Sequence, residues 1–182
     1  MTTATLPAAG TYSIDPSHSH VGFAVKHFGL AKVRGEFTTF EGTITVAEPA
    51  TDSSVTVSID AASFDSGDEG RDGHVTSPDF LDVAQFPTLT FTSTAVRADG
   101  DDWVVTGDLT IHGTTRSVEL VTELEGAIDD PYGMERIAFS ATTEIDRTDF
   151  GLTWNQALEG GGLVVGKSVK ITIDVEAVRP KG

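Results

Sequence analysis

Residues 168–178 read "SVKITIDVEAV". Val169, Ile171, Ile173, Val175 and Ala177 fall on one parity, and their neighbours Lys170, Thr172, Asp174 and Glu176 are polar. Successive side chains of an extended chain point to opposite faces, so this period of two predicts a strand with one apolar and one wet face. The same alternation recurs upstream in "HVGFAVKH" (20–27), "FEGTITV" (40–46), "VTVSID" (55–60) and "LTFTSTAV" (89–96). It continues in "WVVTGDLTIH" (103–112), "RSVELVTELEG" (116–126) and "RIAFSATTEID" (136–146), which brings the predicted strands to about eight.

Most of the connections are short. "RADGDD" (97–102), "HGTT" (112–115) and "DDPYG" (129–133) carry the punctuation of tight turns between antiparallel neighbours. Two are long. In residues 62–86, "SPDFLD" predicts a helix with Ser77 as N-cap, Pro78 at its first position and Asp79 at its positive end. Residues 146–166, with Phe150, Trp154 and a run of glycines, predict a folded-back loop. Eight one-sided apolar strands must bury their faces against each other. A sheet closed on itself does this without leaving edges, and a two-sheet sandwich satisfies the same pattern. An eight-stranded barrel is either filled by side chains or holds one slim ligand, and alternation alone does not choose between them.

Whole-chain properties narrow the function. The length of 182 residues suits one domain. Residues 1–11 are expected to form a disordered tail and residues 12–179 the domain. With 12 basic and 28 acidic side chains the net charge is −16, a field that repels nucleic-acid backbones and anionic lipid surfaces. There is no cysteine, hence no disulfide and no thiolate chemistry. The opening residues lack the basic and apolar regions of a secretory signal, so a cytoplasmic location is expected, with no stable membrane insertion. Exposed strand edges near a barrel mouth are compatible with a homodimer.

Three of the five histidines, His18, His20 and His27, fall within ten residues, which raises the question of a metal site. Strand parity spreads them: His20 faces away from Val21, Phe23 and Val25, whereas His27 continues their face. Ser19 beside His18 makes no nucleophile–base pair in an extended strand, and there is no GxSxG elbow. Gly67, Gly70 and Gly73 lack the lysine of a phosphate-binding loop. Arg71, Asp72 and His74 in the same stretch suit either closure of a barrel mouth and grip on a polar head group, or a solvated loop.

Taken together and in order, several stretches resemble the YceI-like family of polyisoprenoid-binding proteins. They are "YSIDPSHSHVGFAVKHFGLAKVRGEFTTFEGTI" (12–44), "GRDGHVTSPDFLDVAQFPTLTFTS" (70–93), "VTGDLTIHGTTRSVEL" (105–120), "RTDFGLTW" (147–154) and "GGLVVGKSVKITIDVE" (161–176). The resemblance implies an all-β, lipocalin-like, up-and-down barrel of eight antiparallel strands. It also implies a short helical cover in the connection between strands 3 and 4 and a hollow apolar lumen for a polyisoprenoid or isoprenoid quinone.

On that basis the lumen wall is expected to include Val21, Phe23, Val25, Phe40, Val57, Ile59, Phe91, Leu109, Ile111, Leu120, Phe139, Ile145, Ile171, Ile173 and Val175. His18, Ser19, His27, Arg71, Asp72 and His74 are the expected rim or head-group contacts. A bound isoprenoid lipid is the expected ligand, with no catalytic cofactor, no metal and no nucleic-acid partner. An acidic surface favours a quinone-like or neutral head group over a pyrophosphate. The rival reading is a metal-dependent or hydrolytic enzyme using His18, His27, His74 and Asp15; a third is a filled, purely structural barrel.

Overall fold

The computed structural model describes residues 6–182. Its strands are β1 (Gly10–Ile14), β2 (His20–His27), β3 (Ala31–Phe37), β4 (Phe40–Val46), β5 (Ser54–Asp60), β6 (Phe64–Asp65), β7 (Thr88–Asp99), β8 (Asp102–Ile111), β9 (Thr114–Asp129), β10 (Met134–Asp146) and β11 (Val165–Pro180). The pairs β1/β2, β3/β4 and β5/β6 are each one wall strand interrupted by a bend, so the wall has eight antiparallel members in chain order. The ring closes where β11 meets the first of them, pairing with β2 along Asp174 to Val165 and with β1 at Ser13↔Val178 and Ile14↔Ala177. The expected closed, up-and-down barrel of eight strands is therefore the fold, and the sandwich alternative falls away.

Local chemistry explains the turns. Phe28 and Gly29 (φ 55° and 69°) join β2 to β3, and His112 and Gly113 (φ 54° and 71°) join β8 to β9. Two successive positive φ values match the right-handed twist of the flanking strands. The first of these hairpins was not visible in the alternation, because "KHFGLAKV" looks too basic and irregular for a turn between strands. β1 begins at Gly10, within the stretch expected as tail, and is secured by the Tyr12 hydroxyl on the Ala8 carbonyl (2.8 Å) and the Arg179 guanidinium over the Tyr12 ring (4.8 Å). Residues 1–5 of that expected tail lie outside the described residues. A bulge at Ser93/Ala95 reverses parity in β7, so Ala95 faces solvent and Val96 turns inward.

The helix of the long connection is real but lies upstream of its expected place. α1 spans Glu69–Thr76, with the Asp68 carboxylate accepting the Arg71 N–H at 2.8 Å, and Ser77 is its C-cap rather than its N-cap. Gly70 and Gly73 argue against a helix by propensity. The Asp68 cap opposes that cost locally, and contacts of His74 with Phe80 and Trp154 do so tertiarily.

One ionic cluster sits at the ring closure. Arg136 on β10 meets Asp130 (3.0 Å), Asp15 (3.2 Å) and Glu176, while Asp15 also meets His18 (2.8 Å). The cluster joins the β1/β2 bend to β10 and β11 where β1 contributes only two paired positions to the ring closure. Ser19 reinforces the joint, its hydroxyl donating to the Asp15 carbonyl (2.7 Å) and accepting the Glu176 N–H (3.0 Å).

The Ser17 hydroxyl, then His18 and Arg136, hold the Asp15 carboxyl well below its ordinary value. A depressed carboxylate stabilises the fold above its unfolded pKa, and that contribution is lost as pH falls through the folded value. The midpoint of thermal unfolding should thus drop as pH falls below about 4. Asp15→Asn should flatten that acid limb while lowering the midpoint near neutrality. An unchanged acid limb in thermal melts from pH 6 to pH 2 would remove Asp15 from the account.

Candidate functional site

The inward parity of the eight wall strands does not meet in a filled core. It encloses a cavity of about 790 Å³, within the range of about 300–1,000 Å³ typical of small-molecule pockets. All fifteen residues expected on the lumen wall border it: Val21, Phe23 and Val25 on β2; Phe40 on β4; Val57 and Ile59 on β5; Phe91 on β7; Leu109 and Ile111 on β8; Leu120 on β9; Phe139 and Ile145 on β10; and Ile171, Ile173 and Val175 on β11. Two of the rings lie where inward glycines leave room. A Cβ on Gly107 would stand 2.4 Å from the Phe91 ring, and one on Gly35 would stand 2.4 Å from the Phe23 ring. Each ring thus folds against bare backbone on the neighbouring strand, which leaves the lumen wider than aromatic content alone suggests.

The two ends of the cavity differ. At the end covered by α1 and the 147–164 loop, the polar lining residues are Lys26, His27, Arg71, His74 and Arg147, all basic or imidazole. At the other end they are Glu48, Ser53, Ser54 and Thr122, beside Leu6, Pro7, Ala8 and Ala9. Between them the wall is almost entirely hydrocarbon.

Of the six expected rim residues, His27, Arg71 and His74 border the cavity and His18, Ser19 and Asp72 do not. His18 and Ser19 belong to the joint around Asp15, on a bend that carries them off the β2 face. Asp72 turns back from α1 to accept the backbone N–H (2.9 Å) and the hydroxyl (2.6 Å) of Ser66. His20 faces out and meets Glu36 at 2.7 Å, as parity requires.

Three residues at the covered end were not singled out as contacts from sequence: Phe80, Arg147 and Trp154. The His74 ring stands edge-on to Trp154 (4.6 Å) and Phe80 (5.1 Å), and its Nε2 meets Asp79 at 2.9 Å. Arg147 is 4 % exposed and no carboxylate lies within ion-pair distance of it among the described residues. Four carbonyls solvate its guanidinium instead: Leu152 (2.6 Å), Gly166 (2.8 Å), Trp154 (3.0 Å) and Val165 (3.2 Å). Burial pulls its pKa down, and the guanidinium remains the protonated form at any ordinary pH. "RTDFGLTW" shows an arginine beside a loop; that the loop wraps it is a tertiary fact.

The geometry disfavours the enzymatic alternative. Among the described residues the group with metal-ligand spacing is Asp15, His18 and Glu176, and the Arg136 guanidinium already occupies it as counter-charge. His27 and His74 border the cavity and are not part of that group, so the set His18, His27, His74 and Asp15 is not brought together. Ser17 and Asp15 both contact His18 at Nδ1 (3.1 and 2.8 Å), whereas a serine–histidine–aspartate relay needs the two partners on opposite ring nitrogens.

A closed antiparallel barrel around an apolar lumen with one basic end defines a barrel protein of the lipocalin-like kind. The chain belongs to the YceI-like domain family, whose profile spans residues 12–177. It is 40% identical over 177 residues to Protein YceI of Escherichia coli O17:K52:H18, covering 95% of this chain and 89% of that protein. Among solved structures, Burkholderia cenocepacia BcnA superposes with a TM-score of 0.76 at 26% identity, over 90% of this chain and 99% of that one. A polyisoprenoid binding domain from Saccharophagus degradans shares the fold with a TM-score of 0.68 at 20% identity, covering 93% and 98% of the two chains. No helix among the described residues is long and apolar enough to cross a membrane.

The carbonyl cradle yields a stability prediction. Arg147→Gln should cost on the order of 3 kcal/mol, because several charge-assisted hydrogen bonds disappear and buried carbonyls lose their donors. Arg147→Lys should recover only part of this, since one ammonium cannot span four carbonyls. Urea titration of the three proteins measures both effects.

Proposed function

We propose that this barrel binds a long-chain isoprenoid lipid, a polyisoprenoid or isoprenoid quinone, for storage or transport and performs no chemistry on it. The observation that carries the reading is the hydrocarbon-lined cavity with its basic and imidazole side chains gathered at one end. Burying an isoprenoid tail releases about 25 cal/mol per Å² of apolar surface, and between its two ends the lumen wall is hydrocarbon apart from Thr143. The tail lies among Phe91, Leu109, Phe139 and Ile173, and the oxygen-bearing head group lies at the covered end near His27, Arg71, His74 and Arg147. A quinone-like head suits the site, because it needs hydrogen bonds and no neutralisation against a chain of net charge −16. The fold shared with a polyisoprenoid binding domain supports the same ligand class.

Mass spectrometry of an organic extract of the purified protein, with metal analysis of the same sample, tests the proposal. A long-chain isoprenoid near one per protein is expected, without stoichiometric metal; metal with no lipid would overturn it, as would an empty extract. Phe91→Trp and Phe139→Trp should cut retention of the long-tailed lipid several-fold while shifting the unfolding midpoint little. Loss of fold and lipid in step would mean that these rings are packing elements and no more.

A further inference from the structure

The cavity's covered end carries a surface whose charge is opposite to that of the rest of the molecule. Residues 24–34 and 163–173 contain Lys26, Lys32, Arg34, Lys167 and Lys170, five of the 12 basic side chains, and not one aspartate or glutamate. All five are exposed. Antiparallel register places Lys26 directly opposite Lys32 and puts Arg34 and Lys170 on either side of Ala24, so four of them share one outer face across β3, β2 and β11. None has a carboxylate within 4.0 Å among the described residues. The flanking acids border the face: Glu144 lies opposite Lys170, Asp146 lies near enough to Lys167 for its carboxyl to be held down partly by that charge, and Glu36 is engaged by His20. Like charges directly opposite in a sheet cost stability, so the fold itself gains nothing from this arrangement.

At the tip of the same face the chain exposes apolar side chains. Phe28 is 46%, Leu163 43% and Leu30 82% exposed. The Phe28 N–H bonds the Val164 carbonyl at 2.9 Å, which joins the β2–β3 turn to the loop carrying Leu163. Phe28 has a φ of 55°, a region unfavourable for a bulky aromatic, and the turn that imposes it places the ring outside the barrel. Lys26, His27, Val164 and Val165 meanwhile border the cavity, so the apolar tip adjoins its covered end.

We propose that this tip is a docking surface for an anionic lipid bilayer, with Phe28, Leu30 and Leu163 entering the interface and Lys26, Lys32, Arg34 and Lys170 meeting the head groups. Exposed apolar groups within a basic field are the elements of reversible interfacial binding. The acidic remainder of the barrel is repelled by the same surface, so only one orientation is attractive, and it presents the covered end of the cavity to the lipid. The net charge of −16 therefore describes the molecule but not this face. The proposal builds on the lipid-binding reading in assigning the surface a role in loading and release, yet docking is measured independently of cavity contents.

Flotation of the full-length protein with vesicles of phosphatidylcholine alone, or with about one-third phosphatidylglycerol, tests it. Binding to the anionic vesicles is expected, weakening as salt rises. Lys26→Glu with Lys32→Glu, and separately Phe28→Ser with Leu30→Ser, should each weaken it by about tenfold or more, with thermal midpoints held near wild type because all four residues lie outside the buried core. Tyr132→Ser, an 86%-exposed aromatic in the β9–β10 turn at the far end, should leave binding unchanged. No binding to anionic vesicles would overturn the docking surface, and so would equal sensitivity to Tyr132→Ser. An isoprenoid in the organic extract with no vesicle binding would sink docking alone, whereas vesicle binding with an empty extract would sink the cavity ligand alone.

Discussion

Keeping a sheet closed around a space that no side chain fills is the constraint on which the rest of this structure depends. A packed core holds opposite walls together by mutual burial, whereas here the walls face a cavity of about 790 Å³. Cohesion must come from the circumference. Seven of the eight neighbour relations are made by successive strands, but the eighth joins the first strand to the last, and near the chain start it has only two paired positions. Arg136, shared by Asp15, Asp130 and Glu176, lies at that joint, with the Ser19 hydroxyl bridging the same two strands. The histidine-rich opening of the chain thus serves closure at Asp15 and His18, the lumen at Val21 to Val25, and the mouth at His27.

The same constraint accounts for the polar chemistry of the covered end. A loop of about twenty residues crossing a barrel mouth exposes carbonyls on its inner side that neither strands nor water satisfy. Arg147 gathers four of them, and in doing so places a buried positive charge, without a direct ion-pair partner among the described residues, on the cavity lining. Its structural duty and its suitability for an oxygen-bearing head group are two consequences of one placement. The Phe80, Trp154 and His74 rings pack around it.

Most of the wall was legible in the sequence, since Ile171, Ile173 and Val175, like Phe139 and Ile145, repeat every second residue and each such run has one face. Where legibility failed, the cause was local chemistry overridden or interrupted. The bulge at Ser93/Ala95 shifted the parity of β7, and Gly70 and Gly73 hid a helix that Asp68 caps. β1 was missed because its alternation spans only five residues, and β3 because the basic stretch from Lys26 to Arg34 hides its alternation. Ser77-Pro78-Asp79 has the composition of a helix start and is used instead to leave one.

The residues alone determined a set of amphipathic strands and which face of each is apolar, because strand periodicity is a property of neighbours along the chain. Only tertiary structure decided that the lumen is hollow, that Arg147 is buried, that His18 leaves the cavity while His27 stays, and that four scattered basic residues share one face. Those outcomes depend on register and closure between segments far apart in the chain, such as Ser19 with Glu176, 157 residues apart. No local pattern encodes which residue will stand opposite another, and that pairing is what turned an acidic chain into a barrel with one basic mouth.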